Sequence, residues 1–185
     1  MNTKLLAVVL AVVALVLWTR GGGGAPIEDG TFLTYDQSGT TVRLTFTDDG
    51  GGRFRTKVEL MADGAWETSE QTPGHGEVVS GKMRTESGAI LELASFGPLW
   101  VAPGQLKEGG NAHGSRVGPL ETRDGREVAV VSASLGMGAA LRGEWLYDPA
   151  TGFVVGGMMG TAMSGPDGGM RFRLVDSNVP GLSGS

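Results

Sequence analysis

Two histidines, a cluster of methionines and rows of alternating arginines are the side chains of this 185-residue chain whose types and spacing suggest chemistry. His75 lies in Thr72-Pro73-Gly74-His75-Gly76-Glu77, and His113 in Gly110-Asn111-Ala112-His113-Gly114-Ser115. If these segments meet, His75, Glu77 and His113 form a two-histidine, one-carboxylate metal site with an open position, as a hydrolytic zinc requires. Loop histidines flanked by glycine are, however, ordinarily solvated, and no ligand-spacing motif joins these two. Met137, Met158, Met159, Met163 and Met170 bring five of the eight methionines into the last third of the chain. Thioethers are soft ligands for Cu(I). On a strand, Met159 and Met163 share one face and Met158 takes the other, so the weightier reading is that these residues fill core gaps or line an adaptable apolar groove. Arg43, Arg53, Arg55 and Lys57, with Arg171 and Arg173 near the C-terminus, either meet lipid headgroups or form the solvated side of strands with Glu59 and other acids as cross-strand partners. The Gly-x-Ser-x-Gly, Ser-x-x-Lys, His-Glu-x-x-His, phosphate-loop and EF-hand patterns are absent. With no cysteine, thiol catalysis, disulfides, thiolate zinc, iron–sulfur clusters and a lipid-modified cysteine are excluded. The expectation is a non-catalytic protein with no cofactor.

The first twenty residues read as an address. Residues 5–18 are an apolar run of 14 between Lys4 and Arg20. At about 1.5 Å per helical residue the run spans roughly 21 Å, short of the roughly 30 Å hydrocarbon core, which suits a signal peptide. No Ala-x-Ala cleavage motif follows, and Trp18 stands where an interfacial aromatic would anchor a short signal anchor. Cleavage and retention both stay open; if uncleaved, residues 5–18 associate with the membrane. Residues 21–29 form a glycine-rich tether, residues 30–180 a domain, and residues 181–185 a tail. The whole chain carries −5, and the part after residue 20 is two charges more negative, since Lys4 and Arg20 have no acid beside them. That balance disfavours nucleic acid as a partner.

From Thr31 onward the hydrophobic period is two and turn signals recur. Val42, Leu44 and Phe46 alternate with Arg43, Thr45 and Thr47; after Asp48-Asp49-Gly50-Gly51-Gly52, Phe54, Thr56, Val58 and Leu60 alternate with Arg53, Arg55, Lys57 and Glu59. This predicts a hairpin. Further strands are expected over 31–35, 82–85, 90–94, 127–132, 144–147, 153–157 and 170–175, with a type I′ turn at Arg123-Asp124-Gly125-Arg126 and a longer turn at Asp148-Pro149-Ala150-Thr151-Gly152. Val128 to Val131 are apolar on both faces and should lie centrally in the sheet. Trp66, Trp100 and Trp145 read as core or rim packing. Residues 62–76 and 104–118 read as long polar loops. The fold class is therefore all-β: a single antiparallel sheet domain, half-barrel or sandwich, after an N-terminal hydrophobic helix.

Four segments in order carry a resemblance. These are Gly30-Thr31-Phe32-Leu33-Thr34-Tyr35, Leu99-Trp100-Val101-Ala102-Pro103-Gly104-Gln105-Leu106-Lys107-Glu108-Gly109, Tyr147-Asp148-Pro149-Ala150-Thr151-Gly152-Phe153 and Phe172-Arg173-Leu174-Val175-Asp176-Ser177-Asn178-Val179-Pro180. Together they resemble uncharacterised, membrane-anchored extracytoplasmic β-domain proteins of prokaryotes. The succession of strands is also loosely similar to the half-barrel of outer-membrane lipoprotein carriers, which implies a concave sheet holding acyl chains. Each likeness implies an architecture rather than an activity, and this chain lacks the lipoprotein cysteine, a clear helix plug and any residue that maps to an acyl-handling role. The reading that follows is an extracytoplasmic cell-envelope protein, anchored or secreted. It binds an apolar, lipid-like ligand or another envelope protein on a concave sheet face. A structural or assembly domain is the alternative, with a metal hydrolase or Cu(I) binder behind it.

Overall fold

The computed structural model describes residues 27–50, 53–62, 65–70, 81–84, 90–93, 98–112, 114–135, 141–161 and 169–182. The apolar run 5–18 and the tether up to residue 26 lie outside them. The elements are β1 (Phe32–Gln37), β2 (Thr40–Gly50), β3 (Arg53–Ala62), β4 (Ala65–Glu70), β5 (Gly81–Arg84), β6 (Ile90–Leu93), a 3-10 turn (Pro103–Gln105), β7 (Asn111–Ala112), β8 (Ser115–Arg123), β9 (Arg126–Leu135), β10 (Leu141–Tyr147), β11 (Val154–Thr161) and β12 (Met170–Ser177). One open antiparallel sheet runs β4-β3-β2-β1-β12-β11-β10-β9-β8, with the two-residue β7 beside β8, while β5 and β6 pair separately. Every neighbouring pair is antiparallel. The two ends of the domain meet in the middle of the sheet, where β1 pairs with β12.

Alternation builds this sheet. Leu33, Tyr35, Val42, Leu44, Phe46 and Val58 are wholly buried, with Leu60 and Leu174 nearly so, and they lie on one face, the core face. Residues opposite each other in an antiparallel ladder share a face, so the pairing of Tyr35 with Leu174 and Val42, and of Leu44 with Val58, extends one apolar surface across four strands. The expected turn at Asp124-Gly125 forms: both residues take positive φ, 50° and 76°, and Arg123 pairs with Arg126 across it, the two-residue geometry that matches strand twist. Val128 to Val131 are buried throughout, but β9 is not central as expected, since only β8 and the two-residue β7 lie beyond it.

Two more expectations need correction. The stretch 62–76 is not one long loop, since Ala65–Glu70 forms β4 against β3; as an end strand it needs few apolar residues, and its Glu-rich sequence hides the period. The stretch 104–118 contains the 3-10 turn, β7 and the start of β8. Gly118-Pro119 within β8 conceals it, and the ladder slips there, between Val117 and Leu120, as proline and glycine do at bulges. At the C-terminus the packed chain reaches Leu182, which is 2% exposed. Its amide donates to the Val179 carbonyl and its own carbonyl accepts from Ser177 Oγ.

Two buried tyrosines cross-link the core. Tyr35 Oη donates to the Val154 carbonyl at 2.9 Å and its ring meets Phe172 edge-on at 5.8 Å. Tyr147 Oη donates to the Pro98 carbonyl at 2.8 Å. Burial pushes both hydroxyl pKa values far above the ordinary phenol range, with Tyr147 adding to the effect at Tyr35.

Candidate functional site

The face opposite the core is not uniformly polar. Strand register generates two rows across it, Asp36–Arg173–Gly156–Leu146–Val130 and Arg171–Met158–Glu144–Ser132. Gly156 brings no side chain to the first row and so leaves a notch between Arg173 and Leu146. There the surface sinks into a groove of about 530 Å³, with Val128, Leu146, Val155 and Met158 along its floor. Val128 and Val155 are only 2% and 7% exposed. The rim carries Arg123, Arg126, Arg171 and Arg173, together with Asp36, Asp124 and Glu144. A second hollow of about 420 Å³ shares Glu144 with the first and is lined by Glu108, Arg116, Val117, Glu121 and Val130. Volumes of this order match small-molecule sites.

The rim charges are paired but accessible. Arg123 meets Glu121 at 2.6 Å, and Arg173 reaches Asp36 at 4.0 Å, with arginine side chains about half exposed in both. Farther along the same face Arg43 sits 5.0 Å over the Phe32 ring, donates from Nε to Thr34 Oγ1 at 3.2 Å, and lies 3.8 Å from Asp176. Arg55 pairs with Asp49, while Lys57 meets Glu59 at 2.6 Å. The expected solvated basic side is thus present, but the ion pair of Glu59 is with Lys57 on its own strand, and its neighbour in register is Arg43.

Of the methionines singled out by sequence, Met158 lines the groove. Met159 occupies the next register position, opposite Gly143 and Met170. Met137 and Met163 lie outside the described residues, and so do His75, Glu77 and His113. Among the described residues no group of three histidine, aspartate or glutamate side chains is arranged to hold a metal. The sequence reading missed Arg123, Arg126, Leu146 and Val128 as members of a common surface. Their strands are separated in sequence by turns, and only the order β12-β11-β10-β9-β8 gathers them on one surface.

No family model matches the chain, and no curated protein or solved structure matches it either.

Proposed function

We propose that this is a non-catalytic cell-envelope protein, exported or anchored by residues 1–20, whose sheet binds an apolar, lipid-like ligand in a groove on the face opposite its core rather than on the concave side. The observation that carries the reading is the groove over β9–β12, where Gly156 opens a floor of Val128, Leu146, Val155 and Met158. One long open sheet with a continuous core face, beside which the only other described sheet is the short pair β5–β6, favours a half-barrel over a sandwich of two extended sheets. A second reading, an assembly domain, has its own support: among the described residues β4 pairs only with β3, and a free strand edge is a template for another chain.

The reading predicts where a lipid probe will land. The full chain, held in phosphatidylcholine nanodiscs and photolysed with a diazirine-bearing palmitate analogue, is expected to carry label on peptides of β10–β12. Met158→Asp places a charge on the apolar floor and should cut that labelling by about tenfold. Label confined to residues 5–18, or undiminished in Met158→Asp, would overturn the proposal.

A further inference from the structure

We infer that β4 is an edge through which two copies of this chain pair, antiparallel and centred on Thr68, into one continuous sheet; this rests on the assembly reading above and not on the lipid-like one. The two ends of the long sheet are finished differently. At the β8 end, Gly109 and Gly110 bond the carbonyl and amide of Val117, β7 covers Ser115 and Arg116, and Gly118-Pro119 stands in the bulge. Proline, a bulge and a covering segment are devices that stop an edge from pairing. β4 has no proline or glycine, and its ladder with β3 runs without a slip from Lys57–Glu70 to Ala62–Ala65. Alternation identifies which of its backbone groups point outward. Phe46 exchanges hydrogen bonds with Gly30 and Thr31 on the β1 side, so the odd-numbered residues of β2 bond toward β3. Carried through the pairs Thr45–Lys57 and Val58–Ser69, this turns the amides and carbonyls of Trp66, Thr68 and Glu70 away from β3. The sequence of β4 then matches itself in one register. A two-fold axis at Thr68 sets Thr68 opposite its own copy, Trp66 opposite Glu70 and Glu67 opposite Ser69, so threonines meet at the centre and no two acids are opposed. Centring on Glu67 or Glu70 opposes like charges, and centring on Trp66 or Ser69 leaves only three residues of the strand in register. The Thr68 register gives about six hydrogen bonds between the copies, a contact of the small, transient class.

The chain has no cysteine, so single introduced cysteines report the pairing. Opposed residues of a hydrogen-bonded antiparallel pair lie about 5.5 Å apart at Cα, within disulfide reach. The full chain in dodecyl maltoside, oxidised with glutathione disulfide, is expected to give about tenfold more disulfide-linked dimer from Thr68→Cys than from Leu120→Cys, Leu120 being an exposed residue at the other end of the sheet. Both variants keep residues 5–18, so any association through that run raises both alike. Trp66→Cys and Glu70→Cys chains, mixed, should cross-link to each other more than each does to itself. Equal dimer from Thr68→Cys and Leu120→Cys, or no preference for the mixed pair, would overturn the inference. If Thr68→Cys stays monomeric and its thiol reacts with a maleimide, the edge is open but not to a second copy, which overturns the inference and leaves the assembly reading standing. If it stays monomeric with an unreactive thiol, the edge is covered and the assembly reading falls with the inference.

Discussion

Gly152→Ala is expected to destabilise the fold by about 3–5 kcal/mol, the sum of left-handed backbone strain and a collision that cannot relax. Gly152 closes the turn between β10 and β11 at φ 83°. Its amide donates to the Asp148 carbonyl at 2.8 Å, and the Asp148 carboxylate accepts from the amides of Ala150 and Thr151 and from Thr151 Oγ1. The segment 98–101 is laced to this turn: Val101 N donates to the Gly152 carbonyl, Val154 N to the Leu99 carbonyl and Trp100 Nε1 to the Thr151 carbonyl. A Cβ at position 152 would stand 2.2 Å from the Val101 carbonyl oxygen and 2.7 Å from Trp100 Nε1. The first of these is backbone and cannot swing aside. Gly125→Ala is the control, because Gly125 has a similar φ of 76° but nothing within 4 Å of the new methyl; it should cost only about 1–2 kcal/mol. Urea unfolding of the two variants separates strain from collision. Equal midpoints would refute the close approach of segment 98–101 to the turn.

That turn also illustrates what a sequence can disclose about the fold. Asp148, Pro149 and Gly152 announce a reversal through local chemistry alone, and Asp124-Gly125 specifies its two-residue turn in the same way. Strands with one wet face, such as β2 and β3, are legible because burial imposes alternation on Val42, Leu44 and Phe46. β4 and β8 are not, for opposite reasons: the residues of β4 lack an apolar row, and β8 breaks its own period at Gly118-Pro119, where the bulge forms. The docking of Trp100 beside Phe153, an isolated bridge, depends on residues some fifty positions apart and leaves no local trace beyond the glycine that permits it.

The groove lies further from the sequence than the fold does. Arg171 and Arg173 alternate with Phe172 and Leu174, so their sidedness can be read directly, but the same alternation describes any solvated strand. What converts them into a rim is the register that sets Arg173 beside Gly156 and Gly156 beside Leu146, and register over four strands is a tertiary property. Met158 is more legible, because a soft, flexible side chain in a weakly charged strand suits an adaptable apolar surface. Its sequence neighbours carry no such information about the arginines at 123 and 126, which serve a turn locally and a rim only after β9 has paired with β10.

Alkaline pH should unfold this protein through its two tyrosines. Tyr35 and Tyr147 are the only tyrosines in the chain, both are about 1% exposed or less, and in both burial raises the hydroxyl pKa well above its ordinary value. The folded state therefore binds these protons more tightly than the unfolded state does. Their contribution is intact below the unfolded-state value of about 10 and is lost as pH rises above it, at about 1.4 kcal/mol per pH unit for each tyrosine. Across the two units from pH 10 to 12, the pair would remove roughly 5 kcal/mol, comparable to the whole stability of a marginal domain. Absorbance at 295 nm reads the phenolates directly and should stay flat above pH 10, then rise for both residues in one step that coincides with loss of the strand signal in circular dichroism. Tyr35→Phe and Tyr147→Phe each remove a hydrogen bond, from the Val154 and Pro98 carbonyls respectively, and so lower stability at neutral pH by about 1 kcal/mol. Each should nevertheless halve the tyrosine part of the alkaline slope. The slope rather than the neutral-pH stability is the diagnostic, because packing losses shift the whole curve whereas only a withheld ionisation tilts it. A 295 nm titration centred near pH 10 with the fold intact would mean that both hydroxyls reach solvent, contrary to their place in the core.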